Sequence, residues 1–177
     1  MGELAFSPQS AGWITPAMTE EVRRVAQGAL AAARAGLPLN LDAWDGYPAA
    51  RDRLLDAAIE TGANLIALSG DSHNAWAFDL WHRGKQAGVD MAVHSVTSPG
   101  FEAYLPHVPP ADVAGAFVQH NPALKWADTS RRGYMSLELT PQRATGEWLM
   151  LDTVRRRSTA IAARQSMSVA HGSNRLS

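Results

Sequence analysis

The chain of 177 residues is 46% hydrophobic and 19% charged, a balance that builds a buried core and excludes a disordered polymer. A formal net charge of −1 gives no general attraction to nucleic acid or to an anionic membrane, and no apolar run approaches the roughly 18 residues of a membrane span. Cysteine is absent, which removes disulfides, thiolate ligands and a thiol nucleophile.

Residues 1–15 read as an irregular arm. The opening MGELAFSPQSAGW has no basic segment followed by an apolar one, so no signal peptide is expected. Met1-Gly2 starts like a myristoylation site, but Phe6 stands where Ser or Thr is needed. Thr19-Glu20-Glu21 starts a helix that runs on alanines to about Ala35 and stops at Gly36-Leu37-Pro38. LNLDAWDGYP is rich in turn residues, and a second helix follows from about Pro48 to Glu60. Strands are expected at Leu65 to Leu68, Trp76 to Trp81 and Val89 to Ser95, the last two joined as a hairpin through Arg83-Gly84-Lys85 and Gly88. SVTSPGFEAYLPHVPP reads as a long loop, followed by a helix near Ala111 to His120. Tyr134 to Leu139 and Ala144 to Leu151 form a second hairpin about Thr140-Pro141-Gln142-Arg143. The segment 155–177 is a basic, then Ser- and Ala-rich tail without a hydrophobic period, and Arg155-Arg156-Arg157 reads as a solvated surface run. Helix, short loop and buried strand make an α/β unit, and the strand hairpins make the whole a mixed α+β chain.

The segment with the most chemistry is NLIALSGDSH, Asn64 to His73. Its buried strand ends abruptly in Gly-Asp-Ser-His, at the carboxyl end where α/β sheets bind ligands. In an extended continuation, Asp71 and His73 project to one side and present a carboxylate beside an imidazole, a donor pair suited to zinc, manganese or iron. The alternative is that Asp71 caps the next turn. His73 also suits general acid or base chemistry. Ser69, Asp71 and His73 lie too close in sequence to form a nucleophilic triad, and no Gly-x-Ser-x-Gly elbow occurs. Asn74 either holds a substrate oxygen or caps a turn. His94 is a further candidate, in an alternating strand pattern, while His82, His107, His120 and His171 are assigned to loops, helix ends and the surface. Trp44, Trp76, Trp81 and Trp148 are read as core or rim packing.

Four segments together resemble the carboxyl-terminal part of the alkaline phosphatase D (PhoD-like) metallophosphatase family. They are WDGYPAARDRLL (Trp44 to Leu55), NLIALSGDSHNAWAFDL (Asn64 to Leu80), SVTSPGFEAYLP (Ser95 to Pro106) and NPALKWADTSRRGYMSLELTPQRATGEWLMLDTV (Asn121 to Val154). The resemblance implies that residues 16–154 are the carboxyl-terminal part of a calcineurin-like metallophosphoesterase domain, the carboxyl-terminal half of an αββα sandwich of two mixed sheets with helices outside. It implies hydrolysis of phosphate monoesters and diesters at a cluster of metal ions, with iron and calcium the expected metals. Asp71 and His73 would be metal ligands, with Asn74 and His94 near the substrate or behind the ligands. The family's upstream Asp-x-x-Tyr, Gly-Asp-x-x-Asp and Asn-His-Asp motifs do not occur in these residues. The chain therefore reads as a truncated phosphatase, expected to be inactive alone, or as a non-catalytic assembly module that complements a separate amino-terminal half. The family's address is periplasmic or extracellular.

Overall fold

The computed structural model describes residues 1–177. Seven strands form a four-stranded sheet in the order β1-β3-β2-β4 and a three-stranded sheet in the order β5-β6-β7. The first holds β1 (Leu65–Ser69), β2 (Ala75–His82), β3 (Lys85–Ala92) and β4 (Leu124–Asp128); the second holds β5 (Gly133–Leu139), β6 (Arg143–Leu151) and β7 (Ile161–Ala170). β1 runs parallel to β3, and the remaining pairs are antiparallel. The helices are α1 (Glu20–Arg34), α2 (Pro48–Thr61) and α3 (Pro110–His120).

Local chemistry sets the helix ends. The Thr19 side chain accepts from Val22 N at the start of α1, with Glu20 and Glu21 in the first turn and Arg34 in the last, which suits the helix dipole. Pro48 opens α2, and Gly62 closes it in the left-handed conformation at φ 64°.

Side-chain alternation along β2 builds two cores. Trp76, Phe78 and Leu80 face one way and join Leu30, Leu55, Val113 and Phe117 from the three helices. Ala75 and Ala77 face the other way and meet Trp148, Met150 and Val169 of the second sheet. The result is three layers: helices, first sheet, second sheet. The chain is thus mixed α and β as expected, and its helices join the core on one side of the sheet pair only. The sheets approach closely because small residues line the seam. A Cβ on Gly146 would lie 2.6 Å from the Met91 sulfur. Trp148 is fully buried, tilts against Trp126 at 5.0 Å between ring centroids, and donates from Nε1 to the Ala92 carbonyl at 2.9 Å.

The expected helices, the strand ahead of Gly70 and both hairpins are present. Several readings need correction. The first hairpin turns at Arg83-Gly84 alone, and Lys85 to Gly88 already belong to β3, which ends at Ala92 rather than Ser95. The tail beyond Arg155 carries β7, ten residues long, which alternates in burial but weakly in hydrophobicity, because its inward side mixes Ile161, Met167 and Val169 with Ala163 and Gln165. β4 also escaped notice, being a short strand directly after a helix. The arm is irregular only in part, since Pro8–Trp13 form a 3-10 turn capped by Ser7. His82 is buried between Asp56 (2.9 Å) and Asp52 (3.6 Å) of α2, not at the surface. The tryptophans read as core or rim divide accordingly: Trp76 and Trp148 are buried, and Trp44 and Trp81 are partly covered at the rim.

Trp148→Ala removes the largest side chain at the seam and leaves the Ala92 carbonyl without its donor. The expected loss is about 3–5 kcal/mol of folding stability, measured by chemical denaturation. Truncation of the exposed Trp81 provides the comparison, and its effect should be far smaller.

Candidate functional site

The Gly70–Asn74 loop leaves β1 at its carboxyl end and enters β2 at Ala75. It is not an extended continuation of the strand. Asp71 and His73 both adopt positive φ, 66° and 59°, so the two side chains reach one loop through a coiled path and not through strand alternation. Non-glycine residues in this region cost about 1–3 kcal/mol each and persist where surroundings impose them.

The surroundings here are specific. Asn74 is buried; its Nδ2 donates to the Ser72 carbonyl at 2.6 Å and its Oδ1 accepts from Phe101 N at 3.1 Å. Trp76 Nε1 donates to Ser72 Oγ at 2.8 Å. His73 Nδ1 lies 3.1 Å from the Pro99 carbonyl oxygen. A carbonyl only accepts, so Nδ1 carries the proton and Nε2 keeps its lone pair free. The Asp71 carboxylate is exposed and takes no hydrogen bond from the loop, so the reading in which it caps the turn does not hold. Asn74 is the residue that braces the turn.

Beside this loop opens a cleft of ≈ 410 Å³. Asp71 and Asn74 line it together with Asp42, Asp45, Asp90, Trp44 and Phe101; no Lys, Arg or His side chain contributes to its wall, and its positive group is the Met1 ammonium, 2.5 Å from Asp90 Oδ2. Asp90 sits in the centre of β3, buried, where it accepts from Ser69 Oγ at 2.8 Å and from Gly2 N at 3.0 Å. Asp45 accepts from Leu4 N through one oxygen, while the other is buried without a partner. Burial pushes the Asp45 carboxyl above its usual 3.8; the Leu4 N–H opposes this, nearby Glu3 adds to it, and Arg51 opposes it. Sequence reasoning missed both carboxylates. Asp90 had a readable signal, an acid inside the apolar run VDMAV, since an aspartate is seldom fully buried unless paired, and here it pairs with the Met1 ammonium. Asp45 had none beyond its turn.

His94 lies just past β3, away from the cleft wall, with both ring nitrogens buried and unpartnered. Burial pushes its imidazole below the usual 6.5; the Asp128 carboxylate pulls it back, and Arg132 and Arg131 push it further down. The structure therefore joins Asp71, His73 and Asn74 in one loop and leaves His94 in a separate buried layer. No group of three His, Cys, Asp or Glu side chains is close enough to hold a metal ion.

The PhoD-like phosphatase family profile matches residues 10–148. The chain belongs to the PhoD-like phosphatase family. It is also similar to alkaline phosphatase D of Bacillus subtilis (strain 168), 29% identical over 133 residues that make up 72% of this chain and 22% of the relative. The chain thus spans about a fifth of the length of the curated relative it matches. No solved structure matches it. No helix is long and apolar enough to cross a membrane. The matched PhoD-like region contains the Gly-Asp-Ser-His loop, the 95–102 loop against which His73 rests, and the cleft wall apart from Met1, Gly2 and Leu4.

Two titrations follow with opposite signs. The folded His94 holds its proton less tightly than the unfolded chain does, so acidification below about 6.5 should erode stability progressively. His94→Leu should flatten that part of a stability–pH curve and add about 1 kcal/mol near neutrality by removing unpaired buried polar atoms. Asp45 holds its proton more tightly when folded, so its contribution is present below 3.8 and is lost as pH rises through the folded value. Asp45→Asn should be the more stable protein at neutral pH, with the gain vanishing in acid. Denaturation midpoints across pH measure both.

Proposed function

We propose that this chain contributes to a metal-dependent phosphoester hydrolase site, with Asp71 and His73 supplying two of the metal donors. The family membership carries this reading, and it is supported by the Nδ1–Pro99 contact that leaves His73 Nε2 without a protein partner, two residues along the same loop from an exposed Asp71 carboxylate with no hydrogen-bond partner. Those two donors fit a divalent or trivalent ion in type, oxygen and imidazole nitrogen, and iron and calcium are the metals proposed. When bound, such ions supply positive charge to phosphoryl oxygens and acidify water.

The chain's own residues do the rest of what is visible. Pro99 orients the His73 ring, Asn74 and Ser72 hold the loop, and the acidic cleft presents oxygen donors on one side of Asp71. Asn74 and His94 act behind the donors, Asn74 as a brace and His94 as part of the buried layer under the 95–102 loop. Substrates in this reading are phosphate monoesters and diesters, and the setting is periplasmic or extracellular. The domain is a calcineurin-like sandwich whose second helical layer is supplied from elsewhere.

Two donors fall short of the roughly three or more that a catalytic metal needs. The remaining ones come from polypeptide outside these residues, an amino-terminal phosphatase half in the same or a separate chain. One observation favours an assembly role as such: β1 is an edge strand with its outer rim unpaired and Leu68 is 55% exposed there. An edge of this kind is a template for a further strand.

The test uses the 177-residue chain with iron, calcium, zinc or manganese, a chromogenic phosphate monoester and a diester. The expected outcome is negligible turnover together with weak metal binding by calorimetry, lost in both Asp71→Ala and His73→Ala. Metal binding that survives both substitutions would remove the assignment. Robust metal-dependent turnover abolished by His73→Ala would show instead that local groups complete the site unaided.

A further inference from the structure

We propose that Arg132 and Gly133, adjacent residues at the head of β5, clasp both ends of the 95–102 loop and so hold the Pro99 carbonyl on His73. Arg132 and Glu102 are then positioning residues for the donor face of His73. This rests on the reading of His73 as a metal ligand, but its geometry stands apart from any metal.

The clasp has two jaws. Gly133 N donates to the Ser95 carbonyl at 3.1 Å, fixing the loop where it leaves β3. The Arg132 guanidinium pairs with Glu102, fixing the loop where it turns into the next helical segment. Between these points Ser95 Oγ accepts from Thr97 N at 3.1 Å and Ser98 N at 2.8 Å, while Phe101 N donates to Asn74. Pro99 is therefore carried on a loop tied at both ends and stiffened within.

The jaws themselves are anchored. Leu151 N donates to the Arg132 carbonyl at 2.8 Å, tying the clasp to β6. A Cβ on Gly133 would lie 1.9 Å from the Leu149 carbonyl oxygen, so the chain crosses β6 at a distance that only glycine allows. The guanidinium also donates to the Ser130 and Arg131 carbonyls at 3.0 and 3.2 Å. The Arg132 side chain is 11% exposed and that of Glu102 28%, so the pair is shielded from the screening that weakens surface ion pairs. Arg132 Nε and Glu102 Oε2 are buried and without hydrogen-bond partners.

The consequence is chemical. With the Pro99 carbonyl in place, the His73 proton is confined to Nδ1 and the Nε2 lone pair faces outward. Partners of this kind behind a metal-binding histidine change affinity by about 10–100-fold when removed. Without the clasp the loop relaxes and the ring is free to adopt the other tautomer, in which Nε2 carries the proton and cannot bind a cation.

Nitrogen-15 NMR of the full chain at mildly alkaline pH reads the His73 tautomer directly, and zinc titration reads affinity. The wild type should hold the proton on Nδ1. Arg132→Met should shift His73 toward the Nε2–H form and weaken zinc binding about tenfold or more, whereas Arg132→Lys, which keeps the charge but loses the planar fork, should do less. Arg131→Met, at the neighbouring arginine that pairs with Asp128, should leave both readouts unchanged. If Arg132→Met does not fold, Glu102→Gln takes its place, with a smaller shift expected in the same direction. An unaltered tautomer in a folded Arg132 or Glu102 variant would overturn the clasp. Failure of zinc to move the wild-type Nε2 resonance would instead overturn the ligand reading, leaving the tautomer comparison to decide the clasp.

Discussion

The first sheet has both faces buried, and that constraint shapes everything around it. β2 must satisfy helices on one face and a second sheet on the other, so it alternates Trp76, Phe78 and Leu80 with Ala75 and Ala77. Bulky rings fill the wide gap beneath the helices. Alanines leave space for Trp148 and let the sheets close up. Polar groups on such a strand must be paired or they cost several kcal/mol. Asp79 meets this demand through Leu176 N at 2.9 Å, with Lys125 and Arg175 nearby, and so ties the last residues of the chain to the centre of the sheet.

The same constraint pushes chemistry to the strand ends. Only there does the backbone leave the sandwich, and only there do Ser69, Asp71 and His73 find space and water. The loop that carries them is strained at two residues, and the strain is held by Asn74 from below and by Pro99 from the side. Such strain is seldom retained where a relaxed turn would serve. The second sheet matters to this loop although it never touches the cleft, because the head of β5 is what ties the Pro99 loop down.

How much of this was legible in the sequence depends on where each residue gets its conformation. α1 and α2 carry their own stop signals, Gly36 and Gly62, both in the left-handed region, and were readable. β1 was readable from its apolar run. β7 was not, because small and polar residues, Ala163 and Gln165, interrupt its inward side and its partner β6 supplies the register. His82 looked like a surface histidine because the carboxylates that bury it, Asp52 and Asp56, belong to a distant helix. The site divides in the same way. The Gly-Asp-Ser-His loop announced itself, whereas its bent path, the Pro99 partner and the Asp45 and Asp90 walls arise from contacts between segments far apart in the chain.

The charge of the cleft bears on the order in which ligands enter. Asp42, Asp45, Asp71 and Asp90 line it without a basic side chain. A phosphoester carries negative charge of its own, and two unit charges about 4 Å apart repel by roughly 4 kcal/mol at an effective dielectric near 20. Asp90 is already paired with the Met1 ammonium and burial favours the neutral form of Asp45, so Asp42 and Asp71 are the carboxylates left to disfavour a bare phosphate. In the proposed metal-dependent reading, a cation beside Asp71 would offset that repulsion before a phosphoester entered. The desolvation borne by Asp45 belongs to the same account. A buried carboxylate that weakens the fold at neutral pH would be tolerated where its field serves a cation, and the proposed metal-dependent reading would supply one.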